Sequence, residues 1–217
     1  MTDKVIYLTA FVLMLSGCQT LHPNQATVPN GVYSKQTTNL NSADRHETFY
    51  FTHDFRNARI YGKGDYRYRM VLLYPASNNY IMPNQPYALS HSDVDLPFVK
   101  DEKKIFQGVT DRYGRTDVFA FEQPVNPKGW NLRPRTGKGN YGGQPVFADQ
   151  LDRPLWAFAY ILIVCGEKPH QYRGITDKRG QTAYVATPTV QNIIFQEDSD
   201  GELLSKKEMW ELCQNPP

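Results

Sequence analysis

Apolar and polar positions divide the chain into distinct stretches. Val5 to Leu15 (VIYLTAFVLML) is an apolar run of eleven residues. Residues 19 to about 45 are rich in Asn, Thr, Gln and Pro and have no apolar period, which is the composition of a solvated tether. Strand signals accumulate after it. Glu47 to Phe55 (ETFYFTHDF) carries alternating aromatics, and Tyr66 to Tyr74 (YRYRMVLLY) opens with Tyr/Arg alternation before turning fully apolar. Trp156 to Cys165 (WAFAYILIVC) is apolar throughout. It is too short to cross a bilayer, which takes about 20 helical residues. It therefore reads as a central strand buried on both faces; a buried helix segment competes, but the β-branched and aromatic content favours the strand. Only the C-terminus shows a helical period. Ser205-Lys206-Lys207-Glu208 matches the S-x-x-E capping box, Met209, Leu212 and Cys213 follow on one face, and Pro216-Pro217 stops the helix.

The fold class predicted is mainly β: two related antiparallel β-subdomains, or one merged β-sandwich, with a short C-terminal helix. The divisions expected are a signal segment 1–17, a tether 18–45, a first β-unit 46–126, a connecting loop 127–150, a second β-unit 151–198 and the C-terminal helix 199–217.

A duplicated motif supports two units of one design. Gly108 to Thr116 reads G-V-T-D-R-Y-G-R-T, and Gly174 to Thr182 reads G-I-T-D-K-R-G-Q-T, with five identical positions. The physics is that of a tight hairpin. Asp111 and Asp177 can accept backbone N–H bonds from the residues that follow. Gly114 and Gly180 can take the left-handed conformation. The expected hairpin strands are Ile105–Thr110 with Thr116–Phe121, and Gln171–Thr176 with Thr182–Ala186. Apolar strands precede them, Met70–Tyr74 in the first unit and Ala159–Cys165 in the second, and the first unit carries an insertion from roughly Pro75 to Lys104. Both aspartates serve as structural turn residues on this reading. One carboxylate per turn is too few for a calcium site.

Composition narrows the function. Lys plus Arg number 24 against 22 Asp plus Glu, a formal charge of +2, without the basic excess of a dedicated nucleic-acid binder. The chain has five histidines (His22, His46, His53, His91, His170), with no H-E-x-x-H and no paired spacing for a metal. There is no G-x-S-x-G elbow. The glycines of 137–143 lack the spacing of a phosphate loop. No catalytic residue, metal or cofactor is assigned, no small-molecule substrate is expected, and the chain reads as a non-enzyme.

The N-terminus suggests an address. Leu15-Ser16-Gly17-Cys18, directly after an apolar run, resembles the lipobox of bacterial lipoproteins. That resemblance implies acylated Cys18 as the first mature residue, so the membrane is met by a lipid anchor only. Gln19, where Asp would signal inner-membrane retention, implies an outer-membrane, periplasm-facing location. Such a compartment is oxidising, so a Cys165–Cys213 disulfide is expected, two buried thiols being the alternative.

The duplicated G-[VI]-T-D-x-x-G-x-T unit, with the P-x-x-P-Y-x-L run at Pro83 to Leu89, resembles β-units widespread in proteins of bacterial type VI secretion. Those include lipoproteins that look like immunity partners of phospholipase-type effectors. The resemblance implies an immunity lipoprotein whose partner is a protein toxin. A structural lipoprotein of the envelope or secretion apparatus, or a cell-wall glycan-binding module, are the alternatives. The partner surface expected is the stretch Pro127 to Gly143, where Lys128, Trp130, Arg133, Arg135, Lys138 and Tyr141 stand without an acid, and Arg, Trp and Tyr dominate interface hot spots.

Overall fold

The computed structural model describes residues 48–75, 80–96, 99, 104–199 and 201–216. Cys18, the lipobox and the tether lie outside the described residues. The chain is mainly β and divides into two compact units, with the boundary between Arg135 and Thr136. Among the described residues no helix is long and apolar enough to cross a membrane.

The first unit contains β1 (Phe49–Phe51), β2 (Ile60–Gly62), β3 (Tyr66–Tyr68), β4 (Met70–Leu72), β5 (Pro86–His91), β6 (Phe106–Val109), β7 (Val118–Phe121) and β8, which begins at Trp130 and runs to Gly137. β5 lies between β6 and β8, antiparallel to both. β7 pairs antiparallel with β3 and parallel with β2, while β1 pairs antiparallel with β4. Phe49, Tyr68, Met70, Leu72, Tyr87, Leu89, Phe119, Trp130 and Leu132 form the core.

The second unit contains β9 (Tyr141–Gly143), β10 (Ala159–Val164), β11 (His170–Ile175), β12 (Tyr184–Thr187), β13 (Ile193–Glu197) and α1 (Lys206–Gln214). β10 lies between β11 and β13, and β12 pairs with β9, all antiparallel. As its apolar sequence predicts, β10 is buried on both faces. Tyr160, Leu162 and Val164 enter one cluster with Phe147 and Val185; Ile161 and Ile163 enter another with Ile194 and Met209. α1 closes that second face. Its capping box is complete: Glu208 N–H donates to Ser205 Oγ at 3.2 Å, and Ser205 N–H donates to the Glu208 carboxylate at 2.7 Å. Cys213 on α1 is bonded to Cys165 just beyond β10, with Cα atoms 5.5 Å apart and a sequence separation of 48.

Three sequence expectations need correction. The duplicated motif is not a hairpin between two paired strands. β6 pairs with β5 while β7 pairs with β2 and β3, and β11 pairs with β10 while β12 pairs with β9. Each turn is an arch that hands the chain from one sheet to another. The buried threonines flanking it explain why. Thr110 N–H donates to Gln85 O (3.0 Å), whereas Thr116 N–H donates to Met70 O (2.8 Å). In the second unit Thr176 N–H donates to Phe158 O (3.0 Å) and Thr182 N–H to Pro145 O (3.1 Å). The two sides of each turn thus answer to different partners.

Second, the counterpart of β10 is β5, not Met70–Tyr74; β5 sits inside the stretch read as an insertion. Tyr66–Tyr74 itself breaks at buried Arg69 into β3 and β4, which pair with different strands. Third, 127–150 is not a structureless loop. A 3-10 turn at Pro127–Gly129 leads into β8, and β9 follows. Trp130, Leu132 and Pro134 alternate inward, and the polar residues between them disguised a period of two.

The equivalence of β5 and β10 explains the first glycine of the motif. Tyr87 stands opposite Gly108 and Tyr160 opposite Gly174. A Cβ on Gly108 would meet the Tyr87 ring at 2.5 Å, and one on Gly174 would meet the Tyr160 hydroxyl at 2.3 Å. The phenol reaches past the glycine to the far side of the arch. Ala183 N–H donates to Tyr160 Oη at 2.9 Å, and Asp117 N–H to Tyr87 Oη at 3.4 Å.

Gly174→Ala is expected to lower unfolding free energy by about 1–3 kcal/mol through overpacking against Tyr160. Gly143→Ala, where an added Cβ meets nothing within 4 Å, serves as the near-neutral control in the same urea titration. Cys213→Ser is expected to cost about 2–4 kcal/mol and to make α1 the first segment released by limited proteolysis.

Candidate functional site: two braced turns and a basic strand

Each arch is closed by its aspartate. In the first, Asp111 Oδ1 accepts from Tyr113 N–H (2.8 Å) and Arg115 N–H (3.0 Å), while Gly114 N–H donates to Asp111 O (2.9 Å). In the second, Asp177 Oδ1 accepts from Arg179 N–H (2.9 Å) and Gln181 N–H (2.8 Å), while Gly180 N–H donates to Asp177 O (2.9 Å). Gly114 (φ 71°) and Gly180 (φ 69°) take the left-handed conformation that closes the turn without Cβ strain. The four predicted turn residues therefore play the same roles in both units.

The electrostatics of the turns differ. Arg69 is 2% exposed and spends its guanidinium on the first arch. Its Nε donates to Thr116 O (2.7 Å), Nη1 to Asp54 O (2.6 Å) and Arg56 O (3.1 Å), and Nη2 to Asp111 Oδ2 (3.1 Å). Arg115 bridges Asp111 and Asp54. A buried guanidinium is tolerable when its donors are met this fully. The hydrogen bond from the Arg56 side chain holds the Asp54 carboxyl well below the usual carboxylate range, with Arg115 adding to it. Burial works to raise Asp111, but bonds from Arg115 and Tyr113 outweigh it and leave its pKa lowered. At the positions matching Arg69 and Arg115 the second arch has amides instead. Gln144 Nε2 donates to Thr182 O at 2.7 Å, matching the Arg69 bond to Thr116, and Gln181 stands where Arg115 stands.

The residues between Asp and Gly point outward and are exposed in both copies: Arg112 and Tyr113, Lys178 and Arg179. The Arg112 and Arg115 guanidinium carbons lie 4.7 and 4.5 Å from the Tyr113 ring centroid. Lys178 Nζ lies 6.0 Å from the centroid of Trp156, which is 57% exposed. Exposed Tyr80 and Ile81 belong to the first unit, and exposed Leu151 to the second. Each unit thus presents a cation beside an aromatic ring at its turn.

The basic segment behaves differently from its sequence expectation. Trp130 is core, 3% exposed, with its ring 5.4 Å from Tyr68 and edge-on to His91 at 5.0 Å. It is withdrawn from any partner surface. Arg133 and Arg135 share the face of β8 opposite to Trp130, Leu132 and Pro134, partly exposed, and Arg133 Nη2 lies 3.4 Å from Ser90 Oγ as a donor. Lys128 is exposed in the 3-10 turn, Lys138 is exposed between β8 and β9, and Tyr141 is half-buried on β9. The strand alternation brings together only Arg133 and Arg135.

Sequence reasoning missed Tyr113, Lys178 and Trp156. The signal for the first two was present, because side chains between the Asp and Gly of a turn have no core to enter. Trp156 was read into the buried strand, which begins only at Ala159. Asp93 N–H donates to Nδ1 of buried His91 at 3.1 Å, which leaves Nε2–H to donate to Asn126 O at 2.9 Å. Among the described residues no group of three or more His, Cys, Asp or Glu is placed to hold a metal ion.

Asp54 and Asp111 are held below their unfolded values, so the native state binds fewer protons than the unfolded chain as the pH falls. Their stabilisation is complete above about pH 4 and is lost progressively below it. Asp117, raised by burial, works in the opposite sense. The readout is therefore a difference: Asp111→Asn is expected to flatten the loss of stability with acidification relative to wild type, measured by urea unfolding across this range.

No protein-family model, no curated protein and no solved structure matches the chain.

Proposed function

We propose that the chain is a lipid-anchored periplasmic immunity protein that binds a secreted antibacterial toxin and neutralises it by occlusion. The observation that carries this reading is the pair of braced turns, each of which holds an aromatic ring and a cation outward on a rigid β-scaffold. Preorganised Tyr, Trp and Arg side chains are the usual anchors of protein–protein contact, because little side-chain freedom is left to lose on binding. Arg133 and Arg135, which share one face of β8, would offer a basic contact of their own to an acidic partner. The lipobox at Cys18 supports anchorage, and the Cys165–Cys213 bond suits an oxidising compartment. The phospholipase class of the toxin rests on the resemblance of the duplicated motif.

The test is co-expression of the full chain with the toxin encoded by a neighbouring reading frame. Cells are expected to survive, and the two proteins to co-elute. Tyr113→Ala, or Arg112→Glu combined with Lys178→Glu, is expected to weaken binding about tenfold or more without lowering thermal stability. Cys18→Ser is expected to abolish palmitate incorporation. A chain that neither protects nor co-elutes overturns the reading.

A further inference from the structure

The bonds around the two arches match one for one, and among the described residues β1 of the first unit has no counterpart in the second. In the first unit β4 is bordered on one side by the arch: Leu72 N–H donates to Gly114 O (2.8 Å), and Met82 N–H donates to Leu72 O (3.0 Å). On its other side β1 closes the edge, with Tyr50 opposite Val71 and Leu73 N–H donating to Thr48 O at 2.7 Å.

Residues 145–148 stand where β4 stands. Phe147 N–H donates to Gly180 O (2.8 Å), and Leu155 N–H donates to Phe147 O (2.9 Å). Val146 bridges Gln181 and Ala148 bridges Pro154, as Val71 bridges Arg115 and Leu73 bridges Ile81. In an extended chain the backbone groups of alternate residues face opposite edges. The N–H and C=O groups of Val146 and Ala148 therefore face the edge that β1 occupies in the first unit. Among the described residues no backbone group bonds them there. The segment itself carries an exposed apolar side chain, Val146, 42% exposed.

We infer that the edge at 146–148 receives an extended strand of a protein partner, antiparallel, with aromatic or aliphatic residues at alternate positions. Unpaired edge backbone groups beside an exposed apolar side chain are the usual template for strand addition. The chemistry of the occupant is given by the first unit, where Phe49-Tyr50-Phe51 fills the equivalent edge. A second copy of this chain is a poorer occupant, because its own β1 is already paired with β4. The inference stands on the internal duplication and not on the toxin reading, so either can fail alone.

The probe is a synthetic peptide with the sequence of residues 47–53, ETFYFTH, added to the full chain carrying Cys18→Ser. Hydrogen–deuterium exchange is followed at single-residue resolution. Without peptide, the amides of Val146 and Ala148 are expected to exchange about tenfold or more faster than those of Val71 and Leu73; saturating peptide should slow them by a similar factor. Ala148→Pro removes one edge donor and should abolish the effect. Val146→Thr keeps the backbone and the β-branched shape and should weaken peptide binding several-fold at unchanged melting temperature, which keeps the test decisive if the proline variant does not fold. Slow exchange at 146 and 148 in the free chain overturns the inference, as does exchange indifferent to peptide. Protection that rises with protein concentration alone makes a second copy the occupant and also overturns it.

Discussion

In each unit a tyrosine ring crosses a glycine on the neighbouring strand, and its hydroxyl meets the first backbone N–H beyond the Thr that ends the arch. Tyr87 does this over Gly108 toward Asp117, and Tyr160 over Gly174 toward Ala183. The ring fills the space that an arch opens between two sheets. The hydroxyl must find a partner because it is buried, and the available partner is the start of the next strand. Gly at the crossing, Thr at the shoulders and Asp–Gly at the tip are all consequences of making that one arrangement fit.

The fold was legible in the sequence where local chemistry decides the outcome. Ser205 and Glu208 announced α1, the apolar run from Ala159 announced a doubly buried strand, and the copied Asp and Gly announced turns. It was illegible where tertiary partners decide. Nothing local in G-V-T-D-R-Y-G-R-T distinguishes a hairpin from an arch. That choice is made by Met70, Gln85, Pro145 and Phe158, which offer their carbonyls from other segments of the chain. For the candidate site, hot-spot residue types drew attention to 127–143. Trp130 proved to belong to the core of Tyr68, Phe119 and Phe121, because aromatic content marks interiors as readily as interfaces.

The two units solve one packing problem with different means. The first spends charge, burying Arg69 and tying Asp54, Asp111 and Arg115 around it. The second has the amides Gln144 and Gln181 at the positions matching Arg69 and Arg115, and adds a helix over one face of β10. Ionic bracing fixes orientation but weakens with acid, whereas the neutral amide and the apolar helix face do not titrate.

The bond between Cys165 and Cys213 turns β11, β12, β13 and most of α1 into a closed covalent ring that begins at the exit of β10. A single nick anywhere inside that ring would separate no fragment: both ends would stay joined through sulfur to a strand buried on both faces. Wherever a protease meets it, this part of the chain could therefore be cut once and keep its pieces and their place.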